Sequence, residues 1–381
     1  MNNIEDQNSN KKNCSGCTAC QQVCPVHCIQ MHEDSEGFLY PQVDENECIN
    51  CRKCTKTCPW LNETTSRESI IPTVFAAKHK DSSVRLCSTS GGAFTALADS
   101  VISKDGIVCG AAYNKETKRV EHIAIDNQKD LYKLRGSKYV QSYLGDIFLQ
   151  VKEFLLQEKF VVFTGTPCQC DGLRHFLGKD YINLIIIDIL CHSTPSPKVL
   201  KDIIDREDEP ITNISFRDKK RGWRKSYHFE MITDKGEVIE NNSYLTFFFR
   251  GVMNRPSCYH CHYTSINRVG DLTLGDYWNI NRVDSSFEDS FGVSCVLVNN
   301  DKGMRFFDNS EIFLNIIETD LSPAMQDCMI KNVKEPANRS DFWKCYHENG
   351  LAVCEKKWGR VTTLDKLKGQ IRRFVKNFMS K

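Results

Sequence analysis

The chain has 381 residues, 40% of them apolar, enough for two or three domains with cores of their own. Fifty Lys and Arg stand against 49 Asp and Glu, and the net charge of +1 supplies no global field for nucleic acid, so no nucleic-acid partner is expected. Residues 1–13 are polar and no apolar run approaches the ~20 residues of a membrane span. Neither a secretory leader nor a transmembrane helix is expected, and the reading is a cytoplasmic protein.

Cysteine is the unusual component, with 20 in the chain, nine of them in the first 58 residues. A reducing compartment suits so many thiols. Cys14, Cys17, Cys20 and Cys24-Pro25 read C-x2-C-x2-C-x3-C-P, and Cys48, Cys51, Cys54 and Cys58-Pro59 repeat it. This is the bacterial-ferredoxin run that holds [4Fe–4S] clusters. Three cysteines in a tight loop reach three irons of one cubane, and the fourth, beyond a turn, ligates the cluster of the other copy. Cys14, Cys17, Cys20 and Cys58 are therefore assigned to one cluster, and Cys48, Cys51, Cys54 and Cys24 to the other. Zinc motifs pair cysteines two and two, unlike this three-and-one pattern. Cys28 falls outside it as a spare thiol. Arg52, Lys53 and Lys56 beside the second copy would dock an acidic redox partner, or simply keep the surface soluble.

In chain order, residues 1–62 form the cluster module, with Gly37-Phe38-Leu39-Tyr40-Pro41 as the hairpin joining the copies and Asn62–Ser69 as a polar linker. Strands are predicted over Thr73–Lys80, Ile107–Tyr113, Val120–Asp126, Phe160–Thr164 and Leu184–Leu190. Helices are predicted over Gly91–Ile102, Tyr143–Gln157 and Asp171–Phe176. This stretch, 70–205, is mixed α/β. A second stretch, 206–350, carries strands at Ile211–Arg217, Tyr227–Ile232 and Val293–Asn299 and a helix at Tyr244–Met253. The last, 356–381, holds nine Lys/Arg and one acid. Its Leu364, Leu367, Ile371, Phe374, Val375 and Phe378 share one helical face. Such a basic amphipathic helix suits peripheral contact with an anionic membrane, or a cap on the core, or a partner. The fold class is α+β or mixed α/β: a two-cluster ferredoxin-like domain fused to a mixed α/β core.

Several short motifs outside the module bear chemistry. Ser90-Gly91-Gly92 opens a helix, where backbone amides favour an anion; a plain N-cap explains it equally. The loop Arg135-Gly136-Ser137-Lys138-Tyr139-Val140-Gln141-Ser142 suits a phosphate, or is a solvated turn. Thr164-Gly165-Thr166-Pro167-Cys168-Gln169 follows an apolar strand, the usual place for a ligand site. Cys168 would head the next helix, where a thiolate is favoured. Cys191-His192-Ser193 ends the next strand in the same way, so both cysteines fall on one sheet edge. Cys258-x2-Cys261 adds two sulfurs, and the four suffice for a third cluster. A zinc site with His260 or His262, or inert thiols, remain open for that pair. His192 is the candidate proton donor, beside a structural role bonded to backbone.

Together with Gly270-Asp271 and Gly275-Asp276-Tyr277, these motifs resemble the coenzyme F420 hydrogenase/dehydrogenase beta-subunit family over about residues 70–345. The resemblance implies an FAD lined by Ser90, Gly91, Gly92, Ser137, Lys138, Thr164, Gly165 and Thr166, and a core [4Fe–4S] cluster on Cys168, Cys191, Cys258 and Cys261. It further implies an oxidoreductase moving electrons between clusters, FAD and a small-molecule two-electron acceptor such as a deazaflavin, with surface-polysaccharide metabolism as another setting. A ferredoxin-like donor or partner enzyme would complete it. The alternative is an electron-transfer subunit with no substrate site of its own.

Overall fold

The computed structural model describes residues 3–7, 10–62 and 71–360. The duplication in the cysteine motif is written into the backbone as well. Gly16 (φ 67°) and Asn50 (φ 55°) are left-handed at the position before the second cysteine of each copy. Thr18 (φ 61°) and Arg52 (φ 58°) are left-handed just after it. A left-handed residue that is not glycine costs roughly 1–2 kcal/mol, so its recurrence at matching positions marks a loop shape that both copies need. Short helices, Ala19–Gln22 and Lys53–Thr57, then carry the third cysteines. Strands β1 (Ile29–Glu33) and β2 (Leu39–Val43) form the expected hairpin between the copies, with Ile29 opposite Val43. Asp34 closes its turn by accepting the N–H groups of Glu36 and Phe38.

The core is built on eight strands: β3 (Thr73–His79), β4 (Ile107–Asn114), β5 (Arg119–Ile125), β6 (Val161–Gly165), β7 (Leu184–Ile189), β11 (Leu272–Asp276), β12 (Ser294–Val298) and β13 (Leu314–Thr319). Their order is β13-β3-β12-β11-β7-β6-β4-β5. The four central strands β4, β6, β7 and β11 run parallel, and the flanking pairs are antiparallel. Buried on both faces, β6 and β7 open as continuous apolar runs, Val-Val-Phe and Leu-Ile-Ile-Ile. Val161, Phe163, Leu184 and Ile186 pack on the helices Ile147–Leu156 and Pro167–Leu177. Val162, Ile185 and Ile187 pack on Ala93–Ile102 and Asp301–Asp308. The charge in β7, Asp188, is fully buried and satisfied by Arg268 at 2.9 Å and by the N–H groups of Val269 and Gly270.

A smaller antiparallel sheet of β8 (Ile211–Arg217), β9 (Tyr227–Thr233) and β10 (Val238–Glu240) packs with the helices Asn242–Arg250, Pro197–Ile204, Arg339–Asn349 and Leu351–Trp358. The eight-stranded sheet draws strands from both the 70–205 and the 206–350 stretches. Residues 361–381, with most of the expected 356–381 helix, lie outside the described residues. No helix among the described residues is long and apolar enough to cross a membrane.

Most predicted elements fall where expected, and the shifts have local causes. The helix expected from Gly91 starts at Ala93, because Gly92 (φ 90°) is its cap and Gly91 lies where a Cβ would stand 2.2 Å from the Ala77 carbonyl. The helix expected from Tyr143 starts at Ile147, because Tyr143 is bridged to Glu121. The helix expected over Asp171–Phe176 spans Pro167–Leu177, with Pro167 at its start and the Gln169 side chain accepting the Thr166 N–H at 3.0 Å.

The cluster module is fastened to this core through specific groups. Gln22 Oε1 accepts the N–H groups of Phe148 (2.9 Å) and Leu149 (3.2 Å), capping a core helix from outside. Glu36 in the hairpin turn receives both arms of Arg339, and its carbonyl accepts the Ser196 hydroxyl. The helix Pro167–Leu177 passes so close to Cys17 that a Cβ on Gly172 would lie 2.9 Å from its Cβ and 3.0 Å from its Sγ.

Candidate redox centres and cofactor pocket

All 20 cysteines are free thiols, and the expected ligands gather in three places. Cys14, Cys17, Cys20 and Cys58 are buried together. Burial raises the pKa of Cys20, and Cys17, Cys14 and Cys58 raise it further; burial followed by Cys58 raises that of Cys17. Burial and neighbouring thiols thus hold Cys17 and Cys20 in the neutral form, and a cationic centre among them is what would favour their thiolates. Cys58 thus joins the first copy across the module. Reciprocally, Cys24 lies beside Cys28, Sγ to Sγ 3.5 Å, and Cys28 neighbours Cys48. Burial opposes ionisation of Cys24, but the N–H groups of Val26, Cys28 and His27 and the Cys28 thiol hold its pKa below the usual range. Cys28, the spare thiol of the motif, is thus packed against the second set, and burial with the Cys24 contact pushes it up to about 12.

The third gathering is at the carboxyl edge of the parallel strands. Cys168 lies in the first turn after β6 and Cys191 just beyond β7, as their motifs predicted. Burial, then Cys258, Cys168 and Cys261, raises Cys191 well above the usual thiol range, and burial with Cys261 and Cys168 takes Cys258 to about 12. The Thr194 N–H donates to Cys258 Sγ at 3.3 Å. The thiolate expected of Cys168 at a helix head is not favoured by its surroundings. Burial outweighs the helix end and the Thr166 hydroxyl, and the thiol rises to about 11. Cys328 is a fifth thiol near Cys191 that no motif flagged. Among the described residues no group of three or more His, Cys, Asp or Glu converges on one metal ion. A cubane instead takes one thiolate on each iron, from four cysteines. The first and third gatherings each bring four thiols and fit that group; the second brings Cys24 and Cys48 together around Cys28, with Cys54 beside Cys51, and backbone N–H donors reach Cys17, Cys24, Cys54 and Cys258.

A cavity of about 280 Å³ opens along the same edge. Ser90 and Gly92, Ser137 and Lys138, and Thr164, Gly165 and Thr166 line it, as do Cys191 and His192. Gly91 does not; it serves the close approach to Ala77. Several expected side chains are already engaged: Ser90 Oγ donates to the Val293 carbonyl at 2.6 Å, and Thr164 Oγ1 to the Cys109 carbonyl at 2.9 Å. Lys138 Nζ donates to the carbonyls of Lys133 and Arg135, and burial lowers its pKa to about 7. His192 is exposed at the wall.

Lining residues outside the motifs include His122, Tyr227 and Phe248. His122 on β5 is buried, which lowers its pKa to about 4; its Nε2 meets the Thr164 carbonyl at 3.0 Å and its Nδ1 has no partner. With Nε2–H donating, Nδ1 is left as a buried acceptor. Tyr227, Phe248 and Trp278 make an aromatic wall. Trp278 stacks on Trp223 (4.7 Å, 7°), and Asp276 holds Arg217 at 3.0 Å and Trp223 Nε1 at 2.8 Å. Trp278 follows directly on the Asp276-Tyr277 motif, whereas Tyr227 and Phe248 come from the smaller unit and carry no local signal. Asp271 of the same motif is structural, 1% exposed and bound to Arg174, Asn300 and the Ile186 N–H. A cation loop, an orphaned buried nitrogen and an aromatic wall fit a phosphate-bearing ring system such as FAD.

A duplicated cluster module seated on an α/β core that gathers four more thiols defines an iron–sulfur electron-transfer protein. Residues 74–147 match the N-terminal model, and 158–321 the C-terminal model, of the coenzyme F420 hydrogenase/dehydrogenase beta subunit, and 13–62 match a 4Fe-4S dicluster domain. The chain belongs to the coenzyme F420 hydrogenase/dehydrogenase beta-subunit family. It is 24% identical over 282 residues to an F(420)H(2) dehydrogenase subunit of Methanosarcina mazei, covering 70% of this chain and 77% of that one. An uncharacterised protein of Methanocaldococcus jannaschii is 24% identical over 208 residues, 47% of this chain and 56% of the relative. A chain of the F420-reducing [NiFe] hydrogenase complex from Methanosarcina barkeri aligns with TM-score 0.44 and 18% identity, over 65% of this chain and 82% of that chain.

Proposed function

We propose that the chain is an iron–sulfur flavoprotein oxidoreductase with three [4Fe–4S] clusters and one FAD, serving a two-electron acceptor of the deazaflavin type. One observation carries the reading: Cys191 belongs to the core thiol set and also lines the cavity, so the core cluster and the cavity's ligand would share a wall. When bound, the clusters would supply one-electron carriers and the flavin a centre that exchanges one electron or two. Cys14, Cys17, Cys20 and Cys58 would hold one cluster, Cys24, Cys48, Cys51 and Cys54 the second, and Cys168, Cys191, Cys258 and Cys261 the third. Lys138 with the Ser137 hydroxyl and the Gly92 backbone would receive the FAD phosphates, Thr164–Thr166 would position its polar edge, and Tyr227, Phe248 and Trp278 would cover its face. His192 at the wall would exchange a proton with the acceptor. His192→Ala should then slow turnover with clusters and flavin still bound; unchanged turnover removes that role.

Anaerobic purification with iron, sulfide and flavin measured on one sample tests the whole reading. About twelve irons, four per cubane, and one FAD per chain are expected. About eight irons and no flavin would overturn it. A second reading, a subunit that only passes electrons to a partner enzyme, is favoured by the exposure of Cys51 and Ile49 amid Arg52, Lys53 and Lys56. Reduction of a small-molecule acceptor by the isolated chain with dithionite separates the two.

A further inference from the structure

Arg255 is 1% exposed and lies between the cluster module and the core. Its Nε donates to the Cys14 carbonyl at 2.7 Å, one terminal nitrogen to Gln141 Oε1 at 2.9 Å, and the other to the Leu39 carbonyl at 2.8 Å while approaching Cys14 Sγ at 3.7 Å. The guanidinium carbon stands 4.4 Å from the Tyr40 ring centre and 5.3 Å from that of Phe38. On its other side the Arg255 carbonyl accepts the Cys258 N–H at 3.0 Å, so the residue is tied to the core thiol set through its own backbone. Gly16, left-handed, lies where a Cβ would come within 2.8 Å of the guanidinium.

Among the described residues its hydrogen-bond partners include no carboxylate. A guanidinium stays protonated in proteins, and burying it without a countercharge is costly. Sulfur from two thiol sets stands where a countercharge would: Cys14 Sγ lies 3.7 Å from the guanidinium, and Cys258 of the core set is bonded through its N–H to the Arg255 carbonyl.

We infer that Arg255 is a positioning residue that sets the reduction potentials of two centres at once, the one on Cys14, Cys17, Cys20 and Cys58 and the one on Cys168, Cys191, Cys258 and Cys261. The inference rests on the reading that both sets hold cubanes. Reduction adds negative charge to a cluster, and a fixed positive charge nearby stabilises that form and raises the potential. The centre on Cys24, Cys48, Cys51 and Cys54 is not among the groups Arg255 touches and serves as an internal reference.

The test is an EPR-monitored redox titration of the full-length holoprotein and of Arg255→Met, Arg255→Lys and Gln141→Glu. Arg255→Met should lower two of the three potentials by about tenfold in the reduction equilibrium, about 59 mV for one electron, and leave the third in place. Arg255→Lys should recover most of the shift. Gln141→Glu keeps the arginine but sets a carboxylate against it, and should lower the same two potentials. If Arg255→Met loses its clusters, Gln141→Glu decides by the same criterion. Unmoved potentials, or an equal shift of all three, would overturn the inference. With about twelve irons in the parent protein, that result strikes Arg255 alone; fewer than three cubanes in the parent would overturn both this inference and the function it rests on.

Discussion

The two halves of the cluster module have the same motif and unequal surroundings. Cys14, Cys17, Cys20 and Cys58 are all 6–8% exposed, and Cys17 lies against the helix Pro167–Leu177. In the other set Cys24 is buried, Cys48 and Cys54 are half-buried, and Cys51 is exposed beside Ile49, which is 60% exposed. The motif states what can be ligated; the packing states which centre faces the core and which faces outward.

The sharpest way to break this contrast is Gly172→Val. Its side chain would collide with Cys17, and overpacking of this kind costs roughly 1–3 kcal/mol. The expected result is loss of about four irons, one cubane, from the inward set, with the outward set retained by iron assay and EPR. Full iron content would show that the close approach does not hold the inward set in place. Next in size is air sensitivity. Exposed thiolates oxidise first, so on exposure to air the outward centre should bleach about tenfold faster than the inward one, followed by absorbance and EPR. Equal rates would mean that exposure does not distinguish them.

The contrast extends to the pocket, where burial makes a charge conditional. Lys138, lowered to about 7, is protonated below that pH and neutral above it. An anion that needs the ammonium form takes up a proton when it binds above pH 7. FAD affinity should therefore fall as pH rises through 7, by up to about tenfold per pH unit, and Lys138→Met should flatten the profile. His122, lowered to about 4, stays neutral across that window and should not contribute. The smallest effect is at the seam. Gln22→Ala removes the cap on Phe148 and Leu149 and should cost about 1 kcal/mol, seen as a drop of about 2–4 °C in the unfolding midpoint. No change would mean water replaces the cap.

The sequence reading was strongest where chemistry is local. Cluster ligands repeat at fixed spacing, and the Gly/Thr loops after β6 and before the helix Ala93–Ile102 announce a strand-edge pocket by themselves. It was weakest where a site is assembled from afar. Tyr227 and Phe248 reach the pocket from a separate sheet and helix, and His122 is one alternating residue on an ordinary strand. Strand β11 was hidden inside Gly270-Asp271-Leu272-Thr273-Leu274-Gly275, whose glycines weaken the strand pattern. They are there because a Cβ at Gly270 would lie 2.4 Å from the Leu272 carbonyl and 2.7 Å from the Asp188 N–H. Arg255 had no signal in its neighbours, since its partners lie more than a hundred residues away in Cys14, Leu39 and Gln141.

Gln22 sits between Cys20 and Cys24 and completes the first turn of a core helix, which ties the cysteine loop to the core through one side chain. The loop that carries Gln22 takes its left-handed turns where cysteines are gathered. A disturbance of the loop that withdraws Gln22 would leave the N–H groups of Phe148 and Leu149 without their acceptor, so the cysteine loop and the start of the core helix are held, or lost, together.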